Sequence, residues 1–230
     1  MAVAFDVQTA GAVFTTVTPN TFSHTPVGTP KGVFVLIQST GVAGNEDSIN
    51  GTVSYGGVAM TRVQYAQDAA TEFVAAWIYF LGSGIPTGVQ TVSISHTGNA
   101  SEKKAACVTV TAGADCDVVS SNKIEANQAN PSIVLANGSD TGLAVVVFAS
   151  GLNSIASITL PATNLTSITT YDVANTCATF DRQTTPGTGD FTAGYTAATD
   201  DVAMAAASVR ETPAAAAANP VFEFRVPSIG

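Results

Sequence analysis

Alternation of apolar and polar positions, cut at intervals by Gly and Pro, is the dominant pattern of the chain. It is clearest between Ile49 and His96. Val53-Ser54-Tyr55 leads into Gly56-Gly57, then Val58-Ala59-Met60 and a further strand over Arg62–Gln67. Glu72–Leu81 is a long apolar strand holding the only Trp, Trp77, and Gly82-Ser83-Gly84-Ile85-Pro86-Thr87-Gly88 turns into the alternating Gln90–Ser95. Short alternating runs bounded by turn residues predict an antiparallel sheet. Gly32-Val33-Phe34-Val35-Leu36-Ile37-Gln38 is apolar without a break, which predicts a strand buried on both faces. Val3–Val7 and Ala12–Val17 read as opening strands separated by Gln8–Gly11, Pro19–Pro30 as a loop, and Ala105–Ala112 as a strand after a charged turn at Gly98–Lys104.

The second half repeats this layout. Gly142–Phe148 mirrors the run from Gly32, Ala162–Ile168 falls where Gly57–Val63 would, and Thr176–Arg182 takes the slot of Phe73–Phe80. Pro186–Gly189 answers Ile85–Gly88, Asp190–Thr196 answers Gln90–His96, and Val202–Val209 answers Ala105–Ala112. The expected fold is an all-β, antiparallel, jelly-roll-like β-sandwich of about twelve to fourteen strands. It forms a single domain over 1–230 built of two similar halves, about 1–117 and 118–230, with two tandem small sandwiches as the alternative. Ala214–Ala218, between Pro213 and Pro220, reads as an extended connector, and Val221–Val226 as a strand that pairs beside Val3–Val7.

Composition narrows the function classes. Hydrophobic residues make up 46% of the 230 residues and charged residues only 11%, with a formal net charge of −9. No Lys/Arg cluster exceeds Lys103-Lys104, so neither a phosphate backbone nor an anionic membrane finds a positive footprint. The N-terminal residues show no secretory signal pattern, and no apolar run reaches membrane-spanning length. Cys107, Cys116 and Cys177 form no Cys-x-x-Cys pair and read as free thiols, a Cys107–Cys116 bridge being the alternative.

Candidate chemistry is thin. His24, in a Pro-flanked loop, and His96, at a strand end, are the only imidazoles, and no Gly-x-Ser-x-Gly elbow accompanies them. No zinc spacing or phosphate-binding Gly loop occurs. Asn45-Glu46-Asp47, Asp115 with Asp117, Asp140 and Asp200-Asp201 are acidic groups in expected loops, where calcium would collect oxygens but where Asp also caps turns unaided. Asn50, Asn99, Asn137 and Asn164 head Asn-x-Ser/Thr sequons that match the Asn/Ser/Thr-rich composition. The reading assigns no catalytic, cofactor-binding or metal residues, and no enzymatic activity.

The turn Tyr55-Gly56-Gly57, the aromatic strand Trp77-Ile78-Tyr79-Phe80-Leu81 and the Pro86-Thr87-Gly88 turn before Val89-Gln90-Thr91-Val92 resemble β-sandwich structural proteins of tailed-phage and bacterial genomes. Ala4-Phe5-Asp6, Phe22-Ser23-His24 and the run from Val33 fit the same layout. The resemblance implies a virion structural protein, a capsid decoration or cement protein made in the host cytoplasm. It would bind the major capsid protein on the outer shell, as a homotrimer, with Met1–Gln8 and Pro213–Gly230 as candidate arms, the alternative being that both termini close the sandwich. The alternative is a tail-associated or surface adhesin that binds glycans through loops holding Phe22, Asn45–Asp47 and Asp200-Asp201.

Overall fold

The computed structural model describes residues 2–14, 18–41, 49, 51–68, 73–96, 102–137, 141–151, 165–173 and 176–212, with the side chains of 41, 73, 171–173, 176 and 177 left aside. Sixteen strands lie among them, more than the sequence suggests, and all pair antiparallel. The first half holds β1 (Ala4–Phe14), β2 (Asn20–His24), β3 (Gly32–Gly41), β4 (Val53–Tyr55), β5 (Val58–Ala59), β6 (Thr61–Asp68), β7 (Phe73–Leu81), β8 (Gln90–Ile94) and β9 (Glu102–Thr111). The second holds β10 (Cys116–Gln128), β11 (Ser132–Leu135), β12 (Leu143–Ser150), β13 (Leu165–Val173), β14 (Thr176–Gln183), β15 (Phe191–Gly194) and β16 (Asp200–Glu211).

Strands pair from the outside inward. In the first half β1 pairs with β9, β2 with β8, β3 with β7 and β4 with β5. This is the nesting of a jelly roll, and β6 is an extra strand at the edge of the larger sheet. The sheets run β1-β9-β3-β7-β6 and β2-β8-β4-β5. The second half repeats the order as β10-β16-β12-β14-β13, with β11-β15 as its smaller sheet. Gly56 and Gly57, with φ of 56° and 81°, make the two-residue turn between β4 and β5, where only a residue without Cβ takes left-handed backbone freely.

Each half is therefore a two-sheet sandwich, 5+4 and 5+2 strands, and the two five-stranded sheets face each other. Four layers result. Val33, Val35, Ile37, Trp77 and Tyr79 fill the core between the first half's sheets, and Ala144, Val146, Phe148 and Met204 that of the second. Alternate residues of the same strands, Phe34, Leu36, Ile78, Val145, Val147 and Phe180, meet in a central core shared by both halves. Because these strands bury both faces, β3 and β12 read as unbroken apolar runs. Ala203, Ala205 and Ala207 of β16 give the central face a low relief that accepts the larger residues opposite.

Ladder positions relate the halves residue by residue. Phe5 and Val118 each pair next to a bulge with Val110 and Val209, which in turn pair with Gly32 and Leu143. Bulges at Val63 and Ile168 fall at matching places, so Tyr79 corresponds to Asp181 and Phe80 to Arg182. The glycine-anchored match of Gly32 with Gly142 is therefore one residue out of register. The match of Val63 with Ile168 holds.

The structure departs from the sequence expectations at further places. The opening strands are one strand, β1, whose bulges between Phe5 and Val7 and between Ala10 and Val13 displace the alternation. The Pro19–Pro30 loop contains β2. The polar stretch from Cys116 to Gln128 is a thirteen-residue edge strand, β10, and Glu102–Lys104 belong to β9. The connector at Ala214–Ala218 and the strand at Val221–Val226 lie outside the described residues. Among those described, no helix is long and apolar enough to cross a membrane.

Candidate functional site

His24 is buried, not looped out, and sits at the end of β2 against β1 and β9. Its Nδ1 lies 2.9 Å from Thr9 Oγ1 and its Nε2 lies 3.2 Å from Thr109 Oγ1. The Thr109 hydroxyl donates to Asp6 Oδ2 at 2.9 Å, so the imidazole donates to it through Nε2. Burial pushes the His24 pKa down, with the Asp6 charge opposing the shift only in part, and in the neutral form so favoured Nδ1 accepts from Thr9. Asp6, the bulge residue of β1, also accepts from the backbone N–H of Gly28 at 2.8 Å and of Val27 at 3.2 Å. A carboxylate, a hydroxyl and an imidazole stand in line, but Thr109 and His24 are closed to solvent. The line ties β1, β2, β9 and the turn at Val27-Gly28 together.

His96 is buried too, its ring 5.3 Å from that of Phe14 and its N–H donating to Thr18 Oγ1 at 3.2 Å.

Carboxylates have taken the same inward course in the second half. Asp181, between the sheets, accepts from Thr179 Oγ1 at 2.9 Å and from the Tyr195 hydroxyl at 2.7 Å. Burial raises its pKa to about 6, with those hydrogen bonds and one to Ser167 pulling the other way. Asp200 and Asp201 open β16 and are buried, not placed in a loop. The Ser150 hydroxyl donates to Asp200, and the Asn127 amide donates to Asp201 at 2.7 Å. These two carboxylates join β10, β12 and β16.

Among the described residues no group of three His, Cys, Asp or Glu is placed to hold a metal ion. Asn45–Asp47, Asp140, Asn50, Asn99 and Asn164 lie outside those residues. Asn137 is buried and accepts from the Ser208 hydroxyl, so it offers no amide to solvent. Cys107 and Cys116 are free and lie on strands of different sheets, Cys107 buried in the first half's core and Cys116 in the central core. No bridge joins them. The Cys177 side chain is outside the description.

Among the described residues a cleft of about 510 Å³ opens where the chain crosses between halves. Val63, Phe80, Cys116 and Val118 line its apolar part, and Asp115, Asp117 and Thr212 its polar part. Its wall is fixed by close backbone packing. The Cys116 N–H donates to the carbonyls of Lys31 at 3.1 Å and Gly82 at 3.2 Å, and a Cβ on Gly82 would stand 2.1 Å from the Cys116 carbonyl oxygen. Cys116 reports the local field. Burial first, then the charges of Glu211, Asp115 and Asp117, push its thiol up to about 12, with Lys31 alone opposing. Sequence reading missed this cleft because Asp115 and Asp117 were visible only as turn acids.

Compared with known proteins, the chain matches no family model, no curated protein and no solved structure. The architecture and the residues above are what a functional reading has to work from.

Proposed function

We propose that the protein is a virion structural protein of a tailed phage, a capsid decoration or cement protein that binds the outer shell and stabilises it. The observation that carries this reading is the repeated body: one sheet order occurs twice, so each half offers equivalent edge strands. A body of that kind suits bridging between neighbouring, identical subunits, which is what a cement protein does. Engagement of both histidines and of Asp6, Asp181, Asp200 and Asp201 in internal hydrogen bonds supports a scaffold over a reaction centre. The Tyr55-Gly56-Gly57 and Pro86-Thr87-Gly88 turns keep the resemblance to phage β-sandwich proteins. In this reading the partner is the major capsid protein, the protein attaches as a trimer, and assembly takes place in the host cytoplasm.

Co-sedimentation of the purified protein with bare phage capsids tests the proposal. Saturation at a fixed ratio to the capsid subunit is the expected result. No binding, or a handful of copies per particle, overturns it and turns attention to glycan arrays and the adhesin reading.

A further inference from the structure

The residue-by-residue correspondence between the halves gives the cleft a counterpart, and that counterpart is occupied. Phe80 and Val118 of the cleft correspond to Arg182 and Phe5. At the second place the Arg182 guanidinium carbon lies 3.5 Å from the centroid of the Phe5 ring, and Nε donates to Gln8 Oε1 at 3.1 Å. An arginine lying on an apolar shelf thus closes one end of the central core. At the other end Phe80 turns inward, its ring 4.9 Å from Phe34, and Val118 is smaller than Phe5. The position that a guanidinium fills on one side is left open on the other.

Charge points to the same occupant. Asp115, Asp117 and Glu211 act on the Cys116 thiol at the cleft floor, against Lys31, which stands 3.7 Å from Asp115. Arg210 lies opposite Asp117 in the ladder, so three carboxylates face two cations. We propose that this cleft is a docking site for an arginine side chain of a partner protein, seated on Val63, Phe80 and Val118 and held by the carboxylates of Asp115 and Asp117. The inference stands apart from the virion reading, since it concerns the chemistry of the cleft whatever body the protein attaches to.

A partner's arginine is imitated by N-acetyl-arginine methylamide, and its neutral isostere is the citrulline compound. The full chain, carrying labelled valine methyls, is titrated with each while the Val63 and Val118 signals are followed. Saturable shifts of both signals with the arginine compound are expected, with at least tenfold weaker binding of the citrulline compound. Asp117→Asn should weaken the arginine compound several-fold, and Val118→Phe, which copies the Phe5 shelf under Arg182, should tighten its binding. Absence of saturable shifts overturns the proposal. Equal binding of the citrulline or of a norleucine compound also overturns it, because the cleft would then be an apolar site. Asp117→Asn keeps the test decisive even where Val118→Phe perturbs the fold.

Discussion

The two halves share a strand order but not a chemistry. Where the first half buries Trp77 and Tyr79 between its sheets, the second places Thr179 and Asp181 at the same ladder positions. The first core is covered by a four-stranded sheet bearing Tyr55, Val92 and Ile94, and the second by β11 and β15, with Ile133, Leu135, Phe191 and Ala193. One half rests on apolar bulk, the other on a hydrogen-bonded polar group among smaller side chains. The central faces stay apolar in both, Gln38 apart. Nested pairing and the inner face therefore define the fold, while the outer cores are free to diverge.

Several measurements sharpen or break that contrast. Cutting the chain at an engineered protease site in Gly113-Ala114 should cost most, because the halves then associate as separate molecules. Against a millimolar effective concentration for a short tether, micromolar protein loses about 4 kcal/mol, and the melting temperature becomes concentration-dependent. A cut protein that melts as the intact one does would deny the central core its role. Trp77→Ala should cost about 3–5 kcal/mol in urea unfolding, whereas its counterpart Thr179→Ala, which removes one hydroxyl donor to Asp181, should cost about 1–2 kcal/mol. Equal losses would erase the difference between the cores.

Asp181→Asn should stabilise the protein at pH 7 and above. A folded pKa of about 6 against 3.8 means that the native state holds the proton more tightly, so stability falls as pH rises through that window. The variant is free of this loss. Its advantage should be near zero below pH 4 and approach about 3 kcal/mol at pH 7, read from unfolding midpoints across pH. A variant less stable than the parent at pH 7 would show that the ionised carboxylate is the form the core is built around. The smallest effect belongs to Gln38, whose amide is buried in the central region without a hydrogen-bond partner, where the second half has Ala149. Gln38→Met keeps the volume and should gain about 1 kcal/mol in the same assay. A loss would mean that the amide is satisfied in solution.

Much of this architecture was legible in the residues, and the gaps have physical causes. Turn glycines and alternating runs announced β4, β5 and β8, because half-buried strands leave a period of two. Strand β10 was hidden by Ser120, Ser121, Asn122, Lys123 and Glu125 on an edge that does not need apolar residues. The duplication was visible, but its register slipped by one at Gly32 and Gly142. With Val33–Ile37 and Leu143–Phe148 buried on both faces, no polar position marks which side is which. His24 and Asp181 were beyond reach, since nothing in the sequence tells a buried, partnered polar group from an exposed one.

Pairing the first strand with the last also has a cost in time. Ala4 pairs with Thr111, so β1 has no ladder partner until the ribosome has made nearly half of the chain. At ordinary rates of synthesis that wait is about 5–20 s, and β10 then waits as long again for β16. Contacts so distant in sequence also form slowly. Meanwhile the finished first half carries Phe34, Leu36, Ile78 and Val108 uncovered on its sheet. The nascent protein is most prone to stick to its neighbours on the ribosome in this interval, halfway through its own translation.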